Sequence, residues 1–335
     1  MKVDGGITTD LSKVPEQAKA LEEAGMSAVM SAETAHDPFF PLLVASQHTE
    51  RVQVMTSIAV AFARTPMILA NIGHDLNHYS NGRFILGLGS QIKPHITKRF
   101  SMPWSSPAAR MREFILSMRA IWANWHEQEP LQFTGKFYTH TLMTPFFTPT
   151  DNEYGAPKVF LAAVGPKMTE VAGEVADGII IHPFTTMKYL RETTMPALER
   201  GWAKAGKQRD DFEISYPGFV VTGETEEDMA KSAAAAKKQI AFYGSTPAYK
   251  IVLDSIGVGD IQSELNAMSK QGRWDEMATL ITDDIMKEFA VIAEADNLAN
   301  SIIDRYGDLV DRTSAAYGGI PEARQAEIIS KLTAV

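Results

Sequence analysis

Short apolar stretches alternate with helical patterns along almost the whole chain. The stretches carry few polar residues, as is typical of parallel strands that are buried on both faces. Helices that alternate with such strands indicate an α/β fold. Eight of the stretches are predicted to be strands: Val3–Ile7, Ala28–Ser31, Val52–Ala59, Arg83–Gly87, Lys158–Ala162, Gly178–His182, Phe212–Thr222 and Phe289–Ala293.

Eight strand–helix units predict a (β/α)8 TIM barrel, with a doubly wound open sheet as the structural alternative. Three segments interrupt the alternation: residues 88–106, 126–157 and 244–281. The second contains FTGKFYTH, which has hairpin character, and the third has a helical pattern. None of them has its own run of core-forming elements. We therefore expect one domain over residues 1–335, with these segments as insertions.

Composition excludes several classes of partner and site. The net charge of −9 argues against nucleic acid or an anionic membrane surface as the main partner. The chain has no cysteine, which excludes disulfides and thiolate metal ligands and fits a cytoplasmic location. It shows no signal-peptide pattern and no apolar stretch near the roughly 18 residues of a membrane span. We expect a cytoplasmic protein that binds neither nucleic acid nor a membrane.

The stretch NGRFILGLGSQ, residues 81–91, resembles a nucleotide-binding turn but lacks its later positions. A dinucleotide fingerprint needs a third glycine and an immediate helix, whereas Ile92 and Pro94 follow here. No Gly-Lys-Ser/Thr follows either, which excludes a Walker loop. The two glycines therefore predict only a sharp turn, or a close approach, at the end of a strand.

Two further segments could bind an anion. In LAAVGPKMTEVAG a strand leads through Gly165 into a helix that begins at Pro166, and the first N–H groups of such a helix attract anions. Lys167 adds a positive charge. The segment KPHITKR places Lys93, His95, Lys98 and Arg99 together in an acidic chain. An ordinary barrel turn and a solvated basic face are the respective alternatives.

Three side chains at two strand ends are candidates for catalysis: Glu33, His36 and His182. The carboxyl ends of barrel strands form the active site of TIM-barrel enzymes, although such residues can also simply hold a loop. His74 and His78 are four residues apart, a spacing that could bind a metal. No third ligand is evident, so we interpret both as helix-surface residues and expect no metal site.

Four motifs in this order resemble one family: AGMSAVMSAE (24–33), TSIAVAFARTPMILA (56–70), NGRFILGLGSQ (81–91) and VFLAAVGPKMTEVAGEVADGIIIHP (159–183). From Val3 to about Tyr317 the chain resembles the bacterial luciferase-like monooxygenase superfamily. It is most similar to the branch that uses the deazaflavin coenzyme F420. Each motif alone is weak, whereas the four together are specific.

The resemblance implies an oxidoreductase that moves a hydride between C5 of F420 and an organic substrate. The first alternative is an FMN-dependent monooxygenase that uses reduced flavin and oxygen. The second is a non-catalytic flavin-binding protein. Relatives often dimerise through barrel helices, so the resemblance also implies a homodimer.

The resemblance assigns site residues as well. It implies a bulge with a non-proline cis peptide at Ser57–Ile58 behind the cofactor ring, a phosphate site at the turn 164–168 and a basic rim for the anionic tail. Glu33 stands where relatives place a catalytic histidine. Relatives that oxidise sugar phosphates have Asp-His where this chain has Ala32-Glu33, and an acid where it has Ile92, so both departures count against that activity. The implied cofactor contacts are Ser57, Ile58, Ala61, Gly89, Ser90, Gln91, His95, Arg99, Val164, Gly165, Pro166, Lys167 and Met168.

Overall fold

The computed structural model describes residues 1–315 and 317–335 and contains a closed barrel of eight parallel strands surrounded by helices. Each strand is hydrogen-bonded to its neighbours in the sequence, and the eighth pairs with the first. The predicted TIM barrel is confirmed, and the open-sheet alternative is wrong. The barrel strands are β1 (Lys2–Gly6), β2 (Ala28–Ser31), β3 (Gln53–Thr56), β4 (Phe84–Gly89), β5 (Lys158–Ala163), β6 (Gly178–Ile181), β7 (Glu213–Ser215) and β8 (Arg312–Ser314).

Helices cover the barrel, and several begin where the sequence supplies proline or threonine. Pro66, Pro107 and Pro166 each occupy a first helical position, where the missing N–H is not needed. The Thr225 hydroxyl caps its helix by accepting a hydrogen bond from the N–H of Asp228. The helices are Val14–Glu23, Phe39–His48, Pro66–Tyr79, Pro107–Glu127, Pro166–Val175, Met187–Tyr189, Met195–Ala205, Glu226–Gly244, Lys250–Ser255, Ile261–Lys270, Trp274–Met277, Asp283–Phe289, Leu298–Tyr306 and Glu322–Thr333. Within the described ranges, none of these helices combines the length and apolar character needed to span a membrane.

The eighth barrel strand differs from the prediction. The segment Phe289–Ala293 does contain a strand, Ala290–Ile292, but it pairs with Phe219–Val221 in a separate two-stranded parallel sheet. The barrel is instead closed by β8 in the sequence DRTSA, which pairs with β1 and β7. β8 has only three residues, all with polar side chains, so it carries no apolar strand signal. The stretch at 289–293 does carry that signal, although its strand lies outside the barrel.

The predicted strand Phe212–Thr222 is also two strands rather than one. Its first part is β7, and its second part, Phe219–Val221, leaves the barrel and forms the small sheet. The break falls at Pro217 and Gly218, where proline removes a ladder donor and Gly218 has a φ of 57°. This break directs the chain away from the barrel towards the helix Glu226–Gly244.

The second and third interruptions have the hairpin and helical character that their sequences indicated. β4 runs two residues further than expected, so the first interruption starts after Gly89 and contains a π-helical turn, His95–Arg99. The second contains an antiparallel hairpin of Phe133–Thr134 and Thr139–His140. The third is helical, and its apolar residues pack against the helix Glu226–Gly244.

The amino end of the barrel interior is filled by charged side chains. Arg312 is fully buried, and its guanidinium donates to both carboxylate oxygens of Asp4 at 2.8 and 2.9 Å. It also donates to Gln53 Oε1 at 2.8 Å and to Glu213 Oε2 at 3.0 Å. Burial raises the pKa of Asp4, and the Arg312 charge opposes that effect. Glu213 is affected oppositely, because hydrogen bonds from Lys158, and from Lys2 and Arg312, outweigh its burial and lower its pKa to about 2.

Above this charged layer the barrel interior is apolar. Met55, Ile85, Phe160 and Ile180 form a buried cluster across strands β3 to β6. Side chains in successive layers of this kind make the interior of a TIM barrel a packed core and not a pore.

The interpretation of His74 as a surface residue is wrong. Its side chain is 4% exposed, and its ring lies 5.3 Å from the His126 ring and 5.7 Å from that of Trp125 (centroid distances). Nδ1 of His74 and both ring nitrogens of His126 are buried without a hydrogen-bond partner among residues 1–315 and 317–335. Burial lowers the pKa of both histidines.

This buried pair predicts a loss of stability in mild acid. A histidine whose folded-state pKa lies below its unfolded value of about 6.5 contributes fully above that pH, and the contribution is lost as the pH falls below it. Between pH 7.5 and 5, the free energy of unfolding of His74→Leu should therefore fall less than that of the unmodified protein. Urea denaturation at each pH measures it. The exposed His36→Leu is the control, and an equal change in both variants would contradict the prediction.

Candidate active site at the carboxyl end of the barrel

Residues that follow five neighbouring strands meet at the carboxyl end of the barrel. Because all eight strands are parallel, the residues that follow them lie at one rim. This arrangement brings together most of the predicted site: Glu33 after β2, Ser57 and Ile58 after β3, Ser90 and Gln91 after β4, Val164 to Met168 after β5, and His182 after β6.

The third strand is interrupted by a bulge at Ser57 and Ile58, between β3 and its short continuation Ala59–Val60. The peptide bond Ser57–Ile58 is cis, as the resemblance implied. The bulge is hydrogen-bonded to the second strand on both sides: Ser57 N donates to Ser31 O at 2.8 Å, and Glu33 N donates to Ile58 O at 3.0 Å. The bulge thus turns Ile58 towards the mouth of the barrel.

Gly87 and Gly89 allow this bulge to press against β4. A Cβ at Gly87 would lie 1.8 Å from the carbonyl oxygen of Thr56, and one at Gly89 would lie 2.8 Å from Cδ1 of Ile58. The Thr56 hydroxyl donates to the carbonyl of Gly87 at 2.8 Å. The close approach that the sequence predicted is therefore made by the neighbouring strand.

The other predicted ring contacts differ in exposure. Ser90 is half-buried, and Gln91 has a left-handed φ of 58° with its side chain accepting from Ile92 N at 3.0 Å. Ala61 is fully buried in the turn that follows the bulge. Ser90 and Gln91 therefore lie at the rim, whereas Ala61 supports the bulge from below.

The contacts of Glu33 favour the loop-holding alternative over a catalytic one. Its carboxylate is largely buried, and Oε2 accepts from Val60 N at 2.7 Å and from Arg64 Nη1 at 2.6 Å. Arg64 also donates to Asp37 at 3.0 Å. Arg64 was not among the predicted site residues. Its position in FARTP, directly after the bulge strand and before a helix, is the sequence feature that could have indicated it.

Two helix amino termini meet at one cavity of about 660 Å³ beside the fifth strand. The cavity is lined by Gly165 to Met168 and by Ser106 to Ala109, at the starts of Pro166–Val175 and Pro107–Glu127. Neither helix has a side-chain cap, so first-turn N–H groups are available to an anion. The Lys167 side chain is exposed beside them. The second helix was not predicted to contribute, although the Ser-Pro pair at 106–107 signals its start.

The basic run is exposed, and one of its members is already engaged. Lys93, His95, Lys98 and Arg99 are all exposed on the π-helical turn and its approach. The Arg99 guanidinium donates to the carbonyl of Thr34 and stacks over the Phe100 ring at 4.9 Å. Arg99 thereby links the turn to the loop of Glu33. Ion pairs of Lys93, His95 and Lys98 are absent within the described chain.

His182 is held in one orientation by its backbone and by two tyrosines. Nδ1 accepts from Phe184 N at 3.1 Å, and the ring lies 4.6 Å from that of Tyr243 and 4.7 Å from that of Tyr249. Burial lowers the pKa of His182 to about 4. The imidazole is therefore neutral near pH 7, with its proton on Nε2. No sequence signal pointed to the tyrosines, because they belong to the end of one helix and to an insertion.

A second cavity of about 620 Å³ adjoins His182. It lies between the ends of β6, β7 and β8 and the helix Glu226–Gly244, and its lining includes Pro183, Pro217, Tyr243 and Ser314. His36, the third catalytic candidate, is exposed on the loop after β2. The structure therefore does not bring His36 into contact with His182. The rim has two sides: the bulge and the helix termini form one, and His182 and the largely apolar cavity form the other.

Several known proteins are similar to this chain in sequence. The family described as "Luciferase-like monooxygenase" matches residues 2–312. The "Uncharacterized protein Rv1360" of Mycobacterium tuberculosis is 51% identical over 312 residues, which cover 93% of this chain and 92% of the relative. The "Putative coenzyme F420-dependent oxidoreductase Rv3520c" of the same species is 28% identical over 300 residues and 84% of each chain.

A solved structure of similar architecture supports the fold. The coenzyme F420-dependent tetrahydromethanopterin reductase of Methanopyrus kandleri superposes with a TM-score of 0.78 over 98% of this chain and 97% of that one, at 19% identity. The likeness extends to the insertions, since it covers nearly all of both chains. With the barrel, the bulge after its third strand and the match over residues 2–312 taken together, the chain belongs to the luciferase-like monooxygenase family.

Proposed function

We propose that the chain is an F420-dependent oxidoreductase that transfers a hydride between the deazaflavin and an organic substrate. The observation that carries the proposal is the cavity at which two uncapped helix amino termini meet, after the fifth strand. This donor set fits a phosphate, and a relative at 28% identity has a name that includes coenzyme F420. The deazaflavin would supply the hydride chemistry at C5, and the protein would supply orientation and exclusion of water.

The residues present fit the parts of such a cofactor. A Cβ at Gly6 or Gly165 would meet no atom within 4 Å, so open space lies above the first strand and beside the helix start. Ile58 and Ser90 would contact the ring, and Gly165 to Met168 would bind the phosphate. The exposed basic run would attract a polyanionic tail, because Lys93 and Lys98 form no ion pair within the described residues and His95 lies between them. This exposed rim favours F420 over FMN, which has no such tail.

Binding measurements test the proposal directly. The purified protein is titrated with oxidised F420, with FMN, and with the deazaflavin chromophore that lacks both phosphate and tail, each followed by fluorescence. We expect F420 to bind most tightly and its affinity to fall with added salt, because exposed charges are screened over about 8–10 Å at physiological ionic strength. Tighter binding of FMN would support the monooxygenase alternative instead. Binding without turnover of any substrate would support the non-catalytic one.

The phosphate site has its own prediction. Gly165 is an extended N-cap with φ −78° and ψ 151°, a conformation that aspartate and asparagine adopt readily. Gly165→Asp should keep the helix intact and place a negative charge beside the phosphate, so affinity for F420 should fall by about tenfold or more. Gly165→Asn has the same shape without the charge and can cap the same N–H groups, so it should weaken binding less than Gly165→Asp does. Equal affinities of both variants would contradict the site.

We propose a positioning role for Glu33. Its contacts with Val60 N and Arg64 hold the bulge that supports the ring. Glu33→Ala should therefore weaken cofactor binding, whereas Glu33→Gln, which still accepts from Val60 N, should restore most of it. If Glu33 is the acid–base group, the glutamine variant should instead bind the cofactor normally and lose about 10²–10⁴ in turnover. Comparing affinity with turnover in the two variants separates the roles.

We also propose that the protein is a homodimer. Phe40 and Leu43 on the helix Phe39–His48, and Ile68 on the helix Pro66–Tyr79, are large apolar side chains with 41–60% of their surface exposed. These helices are neighbours on the outside of the barrel. Sedimentation of Phe40→Glu beside the unmodified protein tests this face, and a monomer in both samples would contradict the proposal.

A further inference from the structure

The orientation of His182 restricts what this histidine can recognise. Its Nδ1 accepts a hydrogen bond from the N–H of Phe184, so this nitrogen carries no proton. In a neutral imidazole the other nitrogen must then be the donor. The rings of Tyr243 and Tyr249 hold the plane of the imidazole on two sides. His182 therefore presents one fixed, uncharged N–H donor.

Nothing in the described chain uses that donor. Nε2 has no hydrogen-bond partner within residues 1–315 and 317–335, and it is not among the nitrogen atoms buried from water there. His182 follows β6 directly, and its neighbour Pro183 lines the cavity of about 620 Å³. The free N–H therefore lies at the carboxyl end of the barrel, beside a cavity of the size that small-molecule ligands occupy.

The remaining lining of this cavity is mostly apolar. Its apolar side chains include Pro217, Phe219 and Val220, and its polar ones include Ser232 and Gln239. The charged residues on its lining are Lys231, which pairs with Glu227 at 2.7 Å, and Asp228, which accepts from the neutral Thr225 Oγ1 at 2.7 Å and has no cation partner within the described residues. An anionic ligand would therefore meet a carboxylate that has no counter-ion, and the desolvation of the ligand's charge would be left uncompensated.

We propose that the substrate is a largely apolar molecule without a negative charge, whose reacting end carries a carbonyl or hydroxyl oxygen that accepts a hydrogen bond from Nε2 of His182. The inference rests on the proposed oxidoreductase function and names the substrate class for that site. His182 acts here in recognition and orientation. Phosphorylated or carboxylated substrates are excluded by the same lining.

The probe is decalone, an apolar bicyclic ketone. It is compared with decalin carboxylate and with protonated decalin amine (the ammonium), which have the same bicyclic body but carry opposite charges. Each is titrated into the full chain labelled with ¹⁵N-histidine, without cofactor and again with bound cofactor. We expect the ketone to bind at least about tenfold more tightly than the carboxylate. We also expect the ketone to move the Nε2–H resonance of His182 in the direction of a hydrogen-bonded proton, and the ammonium, which has no acceptor oxygen, to leave it unmoved.

His182→Phe is the test variant, and the same substitution at His78, which is exposed on the helix Pro66–Tyr79, is its control. Loss of one hydrogen bond should weaken ketone binding by about tenfold in His182→Phe, and His78→Phe should bind as the unmodified protein does. Equal binding of ketone and carboxylate, or ketone binding that neither shifts the His182 resonance nor responds to His182→Phe, would overturn the proposal. Since cofactor preference is measured separately, a protein that binds FMN would refute the F420 assignment without affecting this result.

Discussion

Gly87→Ala is expected to cost at least about 3 kcal/mol in the free energy of unfolding, the upper end of the usual cost of overpacking. The added methyl group would lie 1.8 Å from the carbonyl oxygen of Thr56 and 2.8 Å from Cδ1 of Ile180. The first of these is a backbone atom, so no rotamer change can relieve the contact. The bulge at Ser57 and Ile58 would have to move away from β4, and the support of the ring would be lost with it. Urea denaturation and F420 titration measure the two effects.

Gly165→Ala is the matched control for this substitution. The site lies at the same end of the barrel, yet a Cβ there would meet no atom within 4 Å, and its φ of −78° suits any residue. The free energy of unfolding should change by less than about 1 kcal/mol, and any change should be a small increase. If both alanine variants are equally stable, the packing of the bulge against Gly87 does not require glycine.

Arg312→Met is expected to cost about 3–5 kcal/mol, because it removes one partner of a buried ion pair and leaves the other uncompensated. Asp4 is 1% exposed and would retain no cation in contact. Glu213 would keep Lys2 and Lys158, so the loss concentrates on Asp4. Chemical denaturation at neutral pH gives the cost.

A surface pair provides the comparison. Arg191 and Asp308 lie 2.8 Å apart with about half of each side chain exposed, so Arg191→Met should cost no more than about 1 kcal/mol. Adding Asp4→Asn to Arg312→Met removes the stranded charge and should recover part of the loss. A double variant less stable than Arg312→Met alone would show that Asp4 contributes through contacts other than its charge.

Elements with a strong local signal could be predicted from the sequence. Seven of the eight predicted strands overlap barrel strands, because each lies in a short, largely apolar stretch that a helical pattern follows. The helix start at Pro166 was equally clear. The cis bond at Ser57–Ile58 came from the resemblance alone, because neither residue type favours that isomer.

Features that depend on distant partners could not be predicted in this way. β8 is three residues long, and its Arg312 points into the barrel, where it pairs with Asp4. A buried arginine at this position cannot be predicted without knowing that Asp4 faces it. The partners of His182 come from positions 243 and 249, beyond two intervening strands, and Arg64 reveals its role only through Glu33. His74 was misinterpreted for the same reason, because the residues that bury it belong to another helix.

The closure of the barrel by β8 has a consequence for synthesis on the ribosome. Asp4 and Arg312 are separated by 308 positions, so Asp4 has no counter-ion until nearly the whole chain has been made. Until then β1 and β7 are open edges of a seven-stranded sheet, and open edges pair readily with other chains. Contacts of such long range also form slowly. The nascent protein should therefore depend on chaperones late in translation, and chains that stop before Arg312 should aggregate through these two strands.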